Sequence, residues 1–68
     1  MKKSLDWTDT RALAVLLEAR HPEVDILRLR FTELRRLVLE LDGFAGDPNH
    51  SNEQVLEAIQ MTWLDERD

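Results

Sequence analysis

Ser51-Asn52-Glu53-Gln54-Val55-Leu56-Glu57-Ala58-Ile59-Gln60-Met61-Thr62-Trp63-Leu64-Asp65-Glu66 is the stretch that decides the fold. It opens on a helix start signal. The Ser51 hydroxyl and the Gln54 amide are spaced as a capping box, each satisfying the other's unpaired backbone donor. Beyond the start, Val55, Leu56, Ile59 and Trp63 fall within about one quadrant of a helical wheel, which marks the buried face. Met61 and Leu64 fall on the other side, beside Glu53 and Glu57. Either the N-terminal segment covers them, or they form a partner-binding strip with an apolar centre and an acidic rim.

Two further helices follow from the same periodicity. Leu13, Leu16 and Leu17, widened by Ala12 and Ala19, make one face of a first helix. Thr8 is its expected N-cap, Asp9 sits at the positive end of its dipole, and Pro22 ends it at His21. Leu34, Leu37, Val38 and Leu41 make the stripe of a second helix, capped by Thr32 and stopped by Gly43 in the left-handed region. Before it, Leu27-Arg28-Leu29-Arg30-Phe31 alternates with period two and reads as a short extended segment with both arginines outward. The loop from Phe44 to His50 is rich in turn residues. The expected core is Trp7, the leucines of the first helix, Phe31, the second stripe, Phe44 and the third stripe. The expected fold is mainly α: three helices and a short extended segment in one modified winged-helix-like domain, residues 1–68, with 1–6 as a flexible lead-in.

Composition narrows the chemistry. The chain has 68 residues and no cysteine, so it carries no disulfide, no thiolate zinc site and no thiolate-held cluster. Gly43 and Gly46 are its only glycines, too few for a phosphate-cradling loop. His21 and His50 are isolated, and Ser51 lacks the surroundings of a catalytic serine. No catalytic residue is assigned, and an enzyme is not expected. No apolar run approaches the roughly 18 residues that span a bilayer, and the first residues lack a secretory h-region. A monomer in the cytoplasm is the expectation.

Charge is distributed unevenly. Residues 1–39 hold eight Lys/Arg against six Asp/Glu, or +2, whereas residues 40–68 hold eight acids and Arg67, or -7. The plain reading is a solubilising surface; the sharper one is a negative field suited to a basic partner or a cation. Glu40, Asp42 and Asp47 bracket one loop and are the candidate metal ligands, though three carboxylates on such a loop make a weak site. Arg28, Arg30, Arg35 and Arg36 surround the start of the second helix and raise DNA binding as an alternative. The -7 balance would repel phosphates, so no nucleic-acid partner is expected.

Several segments resemble the IscX family of bacterial iron–sulfur cluster assembly. Trp7-Thr8-Asp9, His21-Pro22-Glu23-Val24-Asp25 and Arg30-Phe31-Thr32-Glu33-Leu34 are similar to its opening signatures. Leu41-Asp42-Gly43-Phe44, Asp47-Pro48, Ser51-Asn52-Glu53, Leu56-Glu57-Ala58-Ile59-Gln60 and Trp63 resemble its second half. The resemblance implies a modified winged-helix accessory protein whose acidic face binds the cysteine desulfurase, where a frataxin-like protein competes. It also implies weak iron binding by surface carboxylates, with no cofactor required. Carried over to this sequence, the acids of that face are Glu53, Glu57, Asp65 and Glu66; with Met61 and Leu64 of the apolar strip they are the candidate partner-binding residues.

The departures are informative. The family's acidic run after the second helix here reads Asp42-Gly43-Phe44-Ala45-Gly46-Asp47-Pro48, with three acidic positions lost and two kept. Each loss removes a potential oxygen ligand and counts against iron binding. Ile26 stands where a proline often follows Asp25, and Leu37 where an aromatic is common; both read as packing variations. The leading expectation is an adaptor that modulates sulfur transfer; the alternatives are a weak ferrous-iron donor and a DNA-binding winged helix.

Overall fold

The computed structural model describes residues 4–68. Its elements are α1 (Thr10–Arg20), α2 (Phe31–Leu39) and α3 (Glu53–Arg67), with 3-10 turns at Ile26–Arg28 and Pro48–His50. Their Cα radius of gyration is 10.9 Å, and a compact chain of this length has about 11 Å. The three helices therefore share one core rather than forming an extended hairpin.

α1 starts one residue later than a Thr8 cap would place it. Asp9 holds the N-cap position, but its carboxylate turns back to accept the Asp6 N–H at 2.8 Å instead of capping the helix. The turn from Asp6 to Asp9 closes with a 2.9 Å backbone bond and lays Trp7 into the core, 3% exposed. Leu13, Ala14 and Leu17 are the buried face of α1; Ala12 and Ala19 point outward, contrary to expectation. Ala14 takes their place because a small side chain there lets α1 approach the helix it packs on.

The expected extended segment is not a strand. Ile26–Arg28 forms a 3-10 turn whose own bonds, Arg28 N–H to Asp25 at 3.1 Å and Leu29 N–H to Ile26 at 3.2 Å, satisfy the backbone. With no neighbouring strand, local bonds are the way to pair those groups. The turn buries Ile26 at 2% exposure and turns Leu27 out to 71%, so Leu27 is a corrected assignment. Among the described residues there is no strand, only an isolated parallel bridge between Leu5 and Phe44, and hence no wing.

α2 begins at Phe31, one residue before the expected Thr32 cap, because the Glu33 carboxylate reaches back to the Arg30 N–H at 3.0 Å. Leu34 and Val38 are fully buried, and Leu41 continues the stripe past the helix end. Gly43 takes φ 86°, the left-handed conformation expected of it. Its carbonyl accepts the Leu5 N–H at 2.9 Å, and Leu5 in turn accepts from Ala45 at 2.8 Å. Leu5 is thus bonded to this loop through both its N–H and its carbonyl; of the lead-in expected to be flexible, residues 1–3 lie outside the described residues.

α3 is capped by Asn52, whose side chain accepts the Val55 N–H at 2.9 Å. Ser51 loses the expected role because its hydroxyl is drawn off, accepting from Arg35 Nε at 3.1 Å and donating to the Pro48 carbonyl at 3.3 Å. Leu56, Ile59 and Trp63 bury the face expected of this helix, with Val55 half-buried beside them. Thr10 faces Gln54, Val55 and Ala58 at one end of α3, and Glu18 meets Trp63 and Arg67 at the other. α1, α2 and the first 3-10 turn all pack on α3, so its remaining side is the one left to solvent.

Candidate docking face

Burying one side of α3 fixes what the other side presents. Glu53, Glu57, Met61 and Asp65 recur every four residues, and all are exposed, with Gln54, Ala58 and Asp68 beside them. Met61, at 57% exposure, is the apolar centre of this ridge. No described element covers it.

The six candidate partner-binding residues do not all belong to this face. Leu64 is half-buried and packs against the core. Glu66 is half-buried too and pairs with Arg11 of α1. Glu53, Glu57, Met61 and Asp65 are brought together. The three acids among them enter none of the ion pairs formed by the described residues.

Most of the remaining acids are neutralised or occupied; Glu23, Glu40 and Asp68 are exposed and enter no ion pair among the described residues. Asp42 lies 2.8 Å from Arg20, Asp25 3.6 Å from Arg28, and Glu18 2.9 Å from Arg67. Asp47 accepts the Asn49 N–H at 2.9 Å and stands 3.7 Å from the His50 imidazole. Glu40 is the exposed C-cap of α2. Glu40, Asp42 and Asp47 are not brought together: among the described residues, no group of three or more His, Asp or Glu could hold a metal ion. The Arg35 guanidinium is committed to Ser51 and to the Pro48 carbonyl at 3.1 Å, which removes it from the basic cluster around α2.

One residue set escaped the sequence reading. Arg67 donates to Glu18, to the His21 carbonyl at 2.9 Å and to the Val24 carbonyl, and its guanidinium sits 5.7 Å from the centroid of the Trp63 ring. The signal was the spacing of Trp63 and Arg67, four residues apart on one helix, and Arg67's place as the single base among acids. This set fastens α3 so that its acidic ridge keeps a fixed orientation.

Fold and face together define the class: a small acidic three-helix protein with a row of unpaired acids along the outer face of one helix. The sequence model for iron–sulphur cluster assembly matches residues 5–68. An uncharacterised protein of Pseudomonas aeruginosa is 51% identical over 65 residues, spanning 96% of this chain and 98% of that one. The chain belongs to the iron–sulphur cluster assembly family, the IscX family, and is an accessory protein of that system. Among the described residues no helix is long and apolar enough to cross a membrane.

Proposed function

We propose that the protein is an adaptor that docks on the cysteine desulfurase through the outer face of α3 and modulates sulfur transfer in the cytoplasm. The observation that carries this reading is the contrast between two sets of acids. Asp42, Glu18 and Glu66 face arginines, whereas Glu53, Glu57 and Asp65 surround an exposed Met61 without an ion-pair partner among the described residues. Unpaired charges of one sign steer a partner of the other sign and set its orientation. The exposed methionine supplies an adaptable apolar contact at the centre. A frataxin-like protein would compete for the same basic patch.

Titration of the desulfurase with the Glu53→Lys/Glu57→Lys variant tests this. Affinity should fall at low salt by more than loss of one isolated surface pair, and the difference should shrink as salt rises. Unchanged affinity at low salt would remove this face from the interaction. Ferrous-iron delivery has less support, because Asp42 and Asp47 are each engaged by neighbouring groups and no third ligand stands with them.

A further inference from the structure

We propose that a shallow groove between the Trp7 turn and the first half of α3 is an anchor slot for one apolar side chain of a basic partner segment. The proposal rests on the docking reading above and deepens it, naming where affinity beyond charge attraction arises. The groove has a volume of about 300 Å³ and is lined by Trp7, Thr8, Thr10, Gln54, Val55 and Ala58.

Its floor is preformed. The Trp7 indole N–H donates to the Asp47 carbonyl at 2.7 Å, and the ring meets Phe44 edge-on with centroids 4.8 Å apart. The backbone beneath is locked as well: the Trp7 N–H donates to the Asp6 carboxylate at 2.6 Å, and the Asp6 N–H to Asp9. A wall held at so many points costs little to organise on binding. The space is at the lower end of small-molecule sites and lies open, so a metabolite would stay largely in water. It has room for one Leu-, Met- or Phe-sized side chain.

Charge selects the kind of segment that brings this side chain. Glu53 adjoins Gln54 in sequence, and Glu57 stands one turn beyond it and next to Ala58. Asp6 and Asp9 flank Trp7 on the other side. Among the described residues no Lys or Arg lines the groove, and these four acids enter no ion pair there. An acidic segment is repelled there and a basic one attracted. Met61 lies one turn beyond Ala58, so the groove and the ridge form one continuous surface. An apolar anchor in a pocket with a charged surround is the arrangement in which the anchor governs dissociation and the charges govern encounter.

The test uses the full chain and purified cysteine desulfurase. Ala58→Phe and Gln54→Trp each fill the slot without changing charge and should weaken binding by at least about tenfold, mainly through faster dissociation. Glu53→Gln/Glu57→Gln should instead slow association and flatten its salt dependence. In the unaltered protein, the Trp7 indole NMR cross-peak should shift on adding desulfurase while that of Trp63, which does not line the groove, stays. Slot-filling variants that bind like the original, or an unmoved Trp7 signal, overturn the anchor slot; if the charge variant is still weakened, the acidic docking reading stands. A charge variant that binds normally overturns the docking reading and the basic character of the occupant with it.

Discussion

Glu18 accepts the indole N–H of Trp63 at 2.9 Å, joining α1 to α3 through a side chain that is itself fully buried. The same carboxylate oxygen takes Arg67 Nε at 2.9 Å. Arg67 then spends its other donors on the carbonyls of His21 and Val24 in the segment that follows α1. One acceptor thus satisfies the largest core side chain and positions the cation that closes the loop over it.

Removing that acceptor leaves the indole N–H without its protein partner. Glu18→Ala should destabilise by about 1–3 kcal/mol, because the donor loses its hydrogen bond and Arg67 its ion-pair partner. Glu18→Gln keeps a carbonyl oxygen in place and should cost about 1 kcal/mol. In a domain this small, each kcal/mol lowers Tm by about 4–8 °C. Melting curves within about 2 °C of each other would show that the bond contributes little.

The first 3-10 turn makes a test of opposite outcomes at adjacent positions. Ile26 is 2% exposed and Leu27 is 71% exposed. Ile26→Ala should cost about 2–4 kcal/mol through the cavity it leaves, whereas Leu27→Ser should stay within about 0.5 kcal/mol. Ile26→Pro should fall between them. Asp25 is already extended at ψ 96°, which suits the residue before a proline, and the first position of such a turn needs no amide donor. Equal losses from Ile26→Ala and Leu27→Ser in chemical denaturation would refute the inward and outward assignment.

The helices were legible because leucine spacing, Pro22 and Gly43 each carry a local rule that tertiary structure left undisturbed. The caps were less so. Whether Ser51 or Asn52 caps α3 depends on Arg35, sixteen residues away, drawing off the Ser51 hydroxyl. Thr8 loses its role because Asp6, Trp7 and Asp9 bind one another in a turn that serves the core. Leu27 to Phe31 misled because five alternating residues fit a strand only if a second strand exists to pair with. The acidic ridge was visible as four-residue spacing on α3. The neutralisation of Glu66 was not, since Arg11 is 55 residues away and meets it only through the packing of α1 on α3.

Gly46 explains why part of the acidic run cannot simply be restored. A Cβ there would stand 2.6 Å from Phe44 Cζ, 2.7 Å from Asp6 Oδ1 and 3.0 Å from Trp7 Cδ1. These atoms belong to the packed ring pair and to a hydrogen-bonded carboxylate, so they yield only with loss of contacts. Gly46→Asp should therefore destabilise by about 1–3 kcal/mol and disturb the Trp7 wall of the groove. Ala45→Asp, at an exposed position, should stay within about 0.5 kcal/mol. If thermal unfolding finds the two variants alike, close packing is not what holds position 46 to glycine.

Paired and unpaired acids should behave differently in association kinetics with the desulfurase. Arg11 and Glu66 bind each other, so their fields largely cancel at the distance of an approaching partner. Arg11→Gln/Glu66→Gln removes two charges with no change in net charge. It should leave the association rate within about twofold at low salt, at a stability cost of about 0.5 kcal/mol. Glu53→Gln/Glu57→Gln removes two charges that nothing compensates, and should slow association by about tenfold at low salt, converging on the unaltered protein as the Debye length falls from about 10 Å at 0.1 M to about 3 Å at 1 M. Stopped-flow measurement of all three proteins across that salt range separates the readings. If the neutral pair proved as important as the α3 acids, steering would come from the charge of the whole molecule and not from one helix face.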